Sequence, residues 1–103
     1  MLLRLHPKAQ AELRAAVLHF EEERPGSGVR LADQVERRIE QAARFPQSGA
    51  LVLGFDEGLD VRQYVVGSRL PFVIITALID DERVAIAIAH TRRELGYWKA
   101  RIK

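Results

Sequence analysis

The apolar residues of this chain follow two periodic regimes, one after the other. In the first half they recur every three or four positions. Ala9, Leu13, Ala16, Val17 and Phe20 make one stripe, and Leu31, Ala32, Val35, Ile39, Ala42 and Ala43 make a second. That period places each set on one face of an α-helix. Pro7 stands where the first helix can begin, because its missing N–H is not needed in the first turn. Glu12, Arg14 and Glu21 to Glu23 fall mostly off the first stripe. Arg24-Pro25-Gly26-Ser27-Gly28 breaks the pattern. Ser27 is placed to cap the second helix, its hydroxyl accepting from exposed backbone N–H groups. Phe45-Pro46 ends that helix, since proline cannot easily continue it. Two helices joined this tightly form an antiparallel hairpin. Ahead of them, Leu2, Leu3 and Leu5 alternate loosely with Arg4 and His6, which predicts a short first strand.

The second half reads as strands. Ser48-Gly49 and Asp56-Glu57-Gly58 mark loops, and Val61, Tyr64, Val65 and Val66 form a β-rich run ending at Gly67-Ser68. From Pro71 to Leu78 nearly every residue is apolar, the pattern of a central strand covered on both faces. Pro71 opens it, where a missing donor is tolerable. Asp80-Asp81-Glu82 is a turn. Val84, Ile86 and Ile88 then alternate with Ala85, Ala87 and Ala89 up to His90. Three such strands with short connections predict an antiparallel meander. Neither helix can bury its stripe alone, so both need this sheet beneath them. The expectation is one α+β domain over residues 1–103: a strand, a helical hairpin on one face of a sheet, the meander, and a charged aromatic tail. No internal repeat or linker interrupts it.

Composition narrows the classes. A chain of 103 residues, 48% hydrophobic and 29% charged, suits one soluble domain with a small core. The absence of cysteine excludes disulfides, thiolate metal ligands and a cysteine nucleophile, and fits a cytoplasmic protein. No apolar run is long enough for a signal peptide or a membrane span. His6 and His19 have no partner at metal-ligand spacing, so no metal or other cofactor is expected. The net charge is only +2, but the stretch from Arg92 carries Arg92, Arg93, Lys99, Arg101 and Lys103 against Glu94 alone. A basic tail of that kind can meet an acidic partner or a phosphate backbone, or simply solubilise the chain end.

Several of these segments, in this order and at these distances, resemble the ParE/RelE toxin family over nearly the whole chain. Pro7-Lys8-Ala9 after the leading strand is similar to the family's opening. Phe45-Pro46-Gln47-Ser48-Gly49 resembles its P-x-x-G exit from the second helix. Pro71-Phe72-Val73-Ile74-Ile75 resembles its central-strand signature. Ala89-His90-Thr91-Arg92-Arg93 resembles its H-x-R-R ending, which Gly96-Tyr97-Trp98 extends as in some ParE-like members. The sequence departs from the family in its central strand, where tyrosines are frequent and Thr76 stands here. The resemblance implies a ParE/RelE-like α+β fold, a role in plasmid stabilisation or growth inhibition, and a cognate antitoxin in a toxin–antitoxin hetero-oligomer. It also implies one of two targets. ParE-like toxins trap DNA gyrase on cleaved DNA, whereas RelE-like toxins cut mRNA on the ribosome. An inactive relic that only binds its antitoxin and co-regulates is a third reading.

The residues weigh differently on these readings. Metal-free RNA cleavage needs a base for the 2′-hydroxyl, cations for the phosphorane and an acid for the leaving oxygen. Arg62, Arg92 and Arg93 are the phosphate candidates, and neighbouring strands could bring them to one side of the sheet. His90 and Tyr97 are the proton-transfer candidates, although a strand-end histidine and an anchoring tyrosine are the simpler roles. Tyr64 reads as packing. The chain has three lysines, Lys8, Lys99 and Lys103, a thin set for RelE-type catalysis. The ParE-like reading is therefore favoured, with Arg92, Arg93, Tyr97 and Trp98 as target-binding residues. An exposed aromatic beside arginines is the composition of an interface hot spot.

Overall fold

A computed structural model of the chain describes residues 3–53, 58–67, 69–94 and 96–102. Asp56, Glu57, Ser68 and Lys103, singled out above, lie outside the described residues, as do Met1 and Leu2. The elements follow as β1 (Arg4–Leu5), α1 (Pro7–Glu23), α2 (Ser27–Arg44), β2 (Ala50–Leu51), β3 (Val61–Val65), β4 (Phe72–Ile79) and β5 (Glu82–His90). A 3₁₀ turn, Lys99–Ile102, ends the described chain. The sheet order is β1-β5-β4-β3-β2. β3, β4 and β5 are antiparallel neighbours, and β1 lies parallel to β5. This is the expected α+β arrangement, with β4 at the centre. One short edge strand, β2, was not legible in the sequence. Its two residues, paired with Arg62 and Gln63, are both exposed and carry no alternation to detect.

Each helix end has a local cause. Pro7 is the first residue of α1, and the His6 imidazole caps it by accepting from the Lys8 N–H at 3.1 Å. Gly26, at φ 93°, precedes α2 in the left-handed region that favours glycine. Ser27 is not the cap that the sequence suggested. Its hydroxyl donates to the carbonyls of Arg24 and Phe20, tying off the end of α1. The free N–H groups of α2 donate to the Glu21 carboxylate instead, those of Gly26 and Gly28 at 2.9 Å and that of Val29 at 3.2 Å. These bonds, that from the Gly26 N–H first, hold the Glu21 carboxyl below the usual carboxylate range. The last strand connection is a two-residue hairpin, Asp80-Asp81, closed by the Ile79–Glu82 pair. Both aspartates have positive φ, 49° and 64°, the backbone that type I′ turns require.

The sheet separates two apolar layers. On one face, Leu31, Val35, Ala42, Tyr64, Phe72, Ile74 and Ile88 are packed with the stripes of α1 and α2. On the far face, Val61, Ile75, Ala77, Val84, Ile86 and Ala89 are covered by Trp98 and Ile102 from the tail. β4 is thus covered on both sides, as its unbroken apolar run requires. The β4–β5 ladder contains one irregularity. Ile75 faces Ala87 while Thr76 faces Ala85, so Ile86 has no partner across. Such a bulge shifts the alternation by one, and Ile86 and Ala87 both pack into the far-face layer.

The hairpin of helices depends on a close approach at Gly28. A Cβ there would overlap the Val17 carbonyl oxygen and stand 2.6 Å from Glu21 Cγ. Gly28→Ala is therefore expected to lower stability by about 2–4 kcal/mol. Urea unfolding followed by circular dichroism measures it, and a change within error of zero would contradict this packing.

Candidate functional site

The residues singled out for function fall into two separate places. Arg62 lies on the helix-covered side of β3, two residues before the core residue Tyr64. Its Nε donates to Asp60 at 2.9 Å, and its Nη1 to the carbonyls of Gln47 and Gly49 at 2.9 and 3.0 Å. Asp60 also pairs with Arg83 at 3.0 Å. Burial alone would raise the Asp60 carboxyl, but the hydrogen bonds from Arg62 and Arg83 prevail and hold it below the usual range. Arg62 therefore staples the exit of α2 to the sheet. The expectation that it joins Arg92 and Arg93 on one side is corrected: the alternation of β3 and the carbonyls left free after α2 draw it to the other face. Thr76, the departure from the family's tyrosines, is fully buried.

The remaining residues gather where β5 runs into the tail. His90 ends β5 with its ring edge-on to Phe72, centroids 5.3 Å apart, and its Nδ1 accepts from the Arg92 N–H at 3.0 Å. It closes the strand as a side-chain cap. Arg92 and Arg93 are exposed. The Arg93 guanidinium lies flat over the Tyr97 ring, 3.7 Å from its centroid, a cation–π contact that fixes its position. Trp98 is 1% exposed. The exposed aromatic expected beside the arginines is thus turned inward, because its indole covers far-face apolar surface that no helix reaches.

What organises this region is a residue the sequence reading passed over. Glu12, on α1, is largely buried, and its Oε1 accepts from the Ile88 N–H at 3.0 Å and from Arg101 Nη1 at 2.9 Å. Its Oε2 accepts from the Tyr97 hydroxyl at 2.7 Å and from Arg101 Nη2 at 3.0 Å, with Arg93 Nη1 3.7 Å away. The Arg101 fork is bidentate, the strongest common geometry for this pair. Arg101 Nη1 also donates to the Ile86 carbonyl at 2.9 Å. The physical need is clear from the sheet. β1 pairs only with Val84 and Ala85, its last bond running from the His6 N–H to the Ala85 carbonyl. Beyond that point β5 is an edge with unpaired backbone groups. Glu12 takes the N–H of Ile88 and Arg101 takes the C=O of Ile86, so two side chains complete the ladder where the strand has run out.

The charges respond accordingly. Burial pushes the Glu12 carboxyl upward, but the bonds from Arg101, Tyr97 and Ile88 outweigh it and leave it below the usual range. The Tyr97 phenol is pushed up to about 12, first by burial and then by its bond to the Glu12 carboxylate. The Arg101 guanidinium is raised further by the same carboxylate. A signal for Glu12 existed in the sequence. Set off the first stripe by its charge, it nonetheless falls three residues after Ala9 and four before Ala16, within the stripe's register, and an acidic residue there needs a buried partner. Among the described residues, no group of three or more histidines and carboxylates is placed to hold a metal ion.

Beside this cluster a cleft of about 150 Å³ opens between the far face and the tail, with Val73, Ile75, Ala89 and Trp98 among its lining and Arg93 and Tyr97 at its side. The chain matches the family described as ParE toxin of type II toxin–antitoxin systems, parDE, over residues 3–95. No curated protein matches it. Among solved structures, it is similar to a chain of the chromosomal ParDE toxin–antitoxin system from P. aeruginosa. The TM-score is 0.70 and the identity 21%, covering 87% of this chain and 95% of the other.

Replacing Glu12 tests the clasp. Glu12→Gln keeps the size but removes the charge that holds Arg101, and is expected to cost about 2–4 kcal/mol at neutral pH. The folded carboxyl is depressed, so its stabilisation is present above the ordinary carboxylate range and is lost as pH falls through the lowered value. The gap between wild type and Glu12→Gln should accordingly narrow on acidification. A gap that is constant from pH 7 to acid, measured by urea unfolding, would show that the carboxylate charge is not what matters.

Proposed function

The chain belongs to the ParE toxin family of type II toxin–antitoxin systems, and on that footing we propose that it arrests growth by binding DNA gyrase and holding it on cleaved DNA. In this reading a cognate antitoxin neutralises it in a hetero-oligomer in the cytoplasm. The observation that carries the reading is the engagement of each proton-transfer candidate in the fold. A general base needs an accessible lone pair and a pKa near the working pH. The Tyr97 hydroxyl is bonded to Glu12, and its phenol is held near 12. His90 Nδ1 is occupied by a backbone N–H, and Arg62 is held by Asp60 and two carbonyls. Ribosome-dependent mRNA cleavage would have to draw its acid and base from this same set. What faces solvent is Arg92 and a half-exposed Arg93 laid on an aromatic ring. A guanidinium held rigidly at a surface suits protein contact, because little rotamer freedom is lost on binding.

The test is a gyrase cleavage assay with antitoxin-free protein, supercoiled plasmid and ATP. Linear DNA covalently linked to gyrase is expected to accumulate, and to fall by about tenfold or more for Arg92→Glu/Arg93→Glu, as for loss of an interface hot spot. No accumulation with gyrase of verified activity would overturn the reading. Cleavage of mRNA in a translating extract would then move the assignment to the ribosome.

A further inference from the structure

Arg62 and Arg101 spend their donors on the fold. Arg62 gives Nε and Nη1 to Asp60 and two carbonyls, and Arg101 gives its fork to Glu12 and the Ile86 carbonyl. Arg93 is held in another way. Its guanidinium carbon lies 3.7 Å from the centroid of the Tyr97 ring, and its Nη1 is 3.7 Å from Glu12 Oε2. The first contact uses the flat face of the cation, and the second is an attraction of charges beyond hydrogen-bond length. The backbone is fixed as well, since the Arg93 N–H donates to the His90 carbonyl at 3.0 Å. Tyr97 is itself oriented by its 2.7 Å bond to Glu12, with the Arg101 guanidinium 5.1 Å from the same ring. Among the described residues, nothing accepts a hydrogen bond from the Arg93 side chain, which is 55% exposed. Arg92 supplies the contrast. It is equally at the surface, but among the described residues no ring or carboxylate holds its side chain.

We propose that Tyr97 is a positioning residue: by holding Arg93 with its donors unspent, it presents a fixed guanidinium to a carboxylate of the protein target. An arginine loses rotamer freedom when a ligand immobilises it, and for Arg93 that loss has already occurred on folding. The local charge calls for one anion. Arg93 and Arg101 share the single Glu12 carboxylate, so this cluster carries one positive charge in excess. A nucleic-acid strand needs a row of cations for its successive phosphates, and here the exposed Glu94 follows Arg93 directly. One planar carboxylate matches one guanidinium fork. The inference rests on the reading that the chain acts by binding a protein. It names the chemical group of that protein that is received and the residue that prepares its reception.

The test uses the antitoxin-free protein in two arms. In the first, nitrogen–proton correlation NMR follows the Arg92 and Arg93 side chains while sodium acetate replaces sodium chloride at constant ionic strength. The Arg93 Nε proton should start upfield, shielded by the Tyr97 ring, and should respond at about threefold lower acetate than that of Arg92. Tyr97→Leu should remove both the upfield position and the advantage. Tyr97→Phe keeps the ring without the hydroxyl and should fall between wild type and Tyr97→Leu. A tyrosine that served stability alone, through its hydroxyl, would make the two variants alike. Equal responses of Arg92 and Arg93 in wild type, or an Arg93 signal indifferent to Tyr97→Leu, would overturn the proposal. The second arm measures binding to gyrase free of DNA. Arg93→Ala should weaken it about tenfold and Tyr97→Leu about threefold, while the double variant should bind no worse than Arg93→Ala, because Tyr97 acts through Arg93. Losses that multiply in the double variant would overturn that route. A loss for Arg93→Ala that appears only with DNA present would assign the anion to a phosphate and overturn the carboxylate. If wild type neither binds nor traps gyrase, the functional reading fails, and the acetate titration still decides whether Tyr97 prepares Arg93. If wild type binds gyrase and Arg93→Ala binds it equally well, the target places no carboxylate there and the proposal fails while the functional reading stands.

Discussion

The Glu12 carboxylate touches three parts of the molecule that are otherwise separate: α1 that bears it, the unpaired edge of β5, and the C-terminal tail. Its partners Ile88, Tyr97 and Arg101 lie 76, 85 and 89 residues away in sequence. A charge this buried is costly unless each oxygen is satisfied. Here each oxygen accepts two hydrogen bonds, one of them from the same guanidinium. The placement of Tyr97, and through it of Arg93, follows from this one group. So does the closing of an edge that would otherwise be open to strand addition.

A second carboxylate is used in the same way at the opposite end of α1. Glu21 accepts from three backbone N–H groups at the start of α2, and Asp60 gathers Arg62 and Arg83 where β3 begins. Glu12 and Glu21 complete backbone hydrogen bonding that regular structure leaves unfinished, and Asp60 orients the arginines Arg62 and Arg83, each of which donates to backbone carbonyls. All three are held below the usual carboxylate range by the donors they gather. The fold thus answers the obligation to satisfy backbone groups with side chains, near in sequence for Glu21 and distant for Glu12, and not with longer strands or helices. A small domain benefits from this economy, since its apolar layers alone are thin.

The basic tail is accordingly not a loose, solubilising end. Trp98 and Ile102 form part of the far-face layer, and Arg101 is drawn into the clasp. Of the charges that made the tail look basic, Arg92 and Arg93 are exposed, and Arg93 lines the cleft.

Periodicity alone determined most of the architecture. The 3.6-residue stripes gave the two helices, the apolar run from Pro71 gave the central strand, and Pro7, Pro25-Gly26 and Phe45-Pro46 gave the breaks, because these signals act between residues close in sequence. The order of recognisable segments likewise identified the family. Tertiary structure decided the rest: which acceptor caps α2, where Arg62 points, that Trp98 turns inward, and that Glu12 holds the tail. The first, second and last of those outcomes depend on backbone groups left unpaired where a strand or helix ends, and the inward turn of Trp98 on apolar far-face surface left uncovered by the helices. For Glu12, no local pattern encodes where β1 stops pairing relative to partners 76 to 89 residues away, so only the assembled sheet could select them.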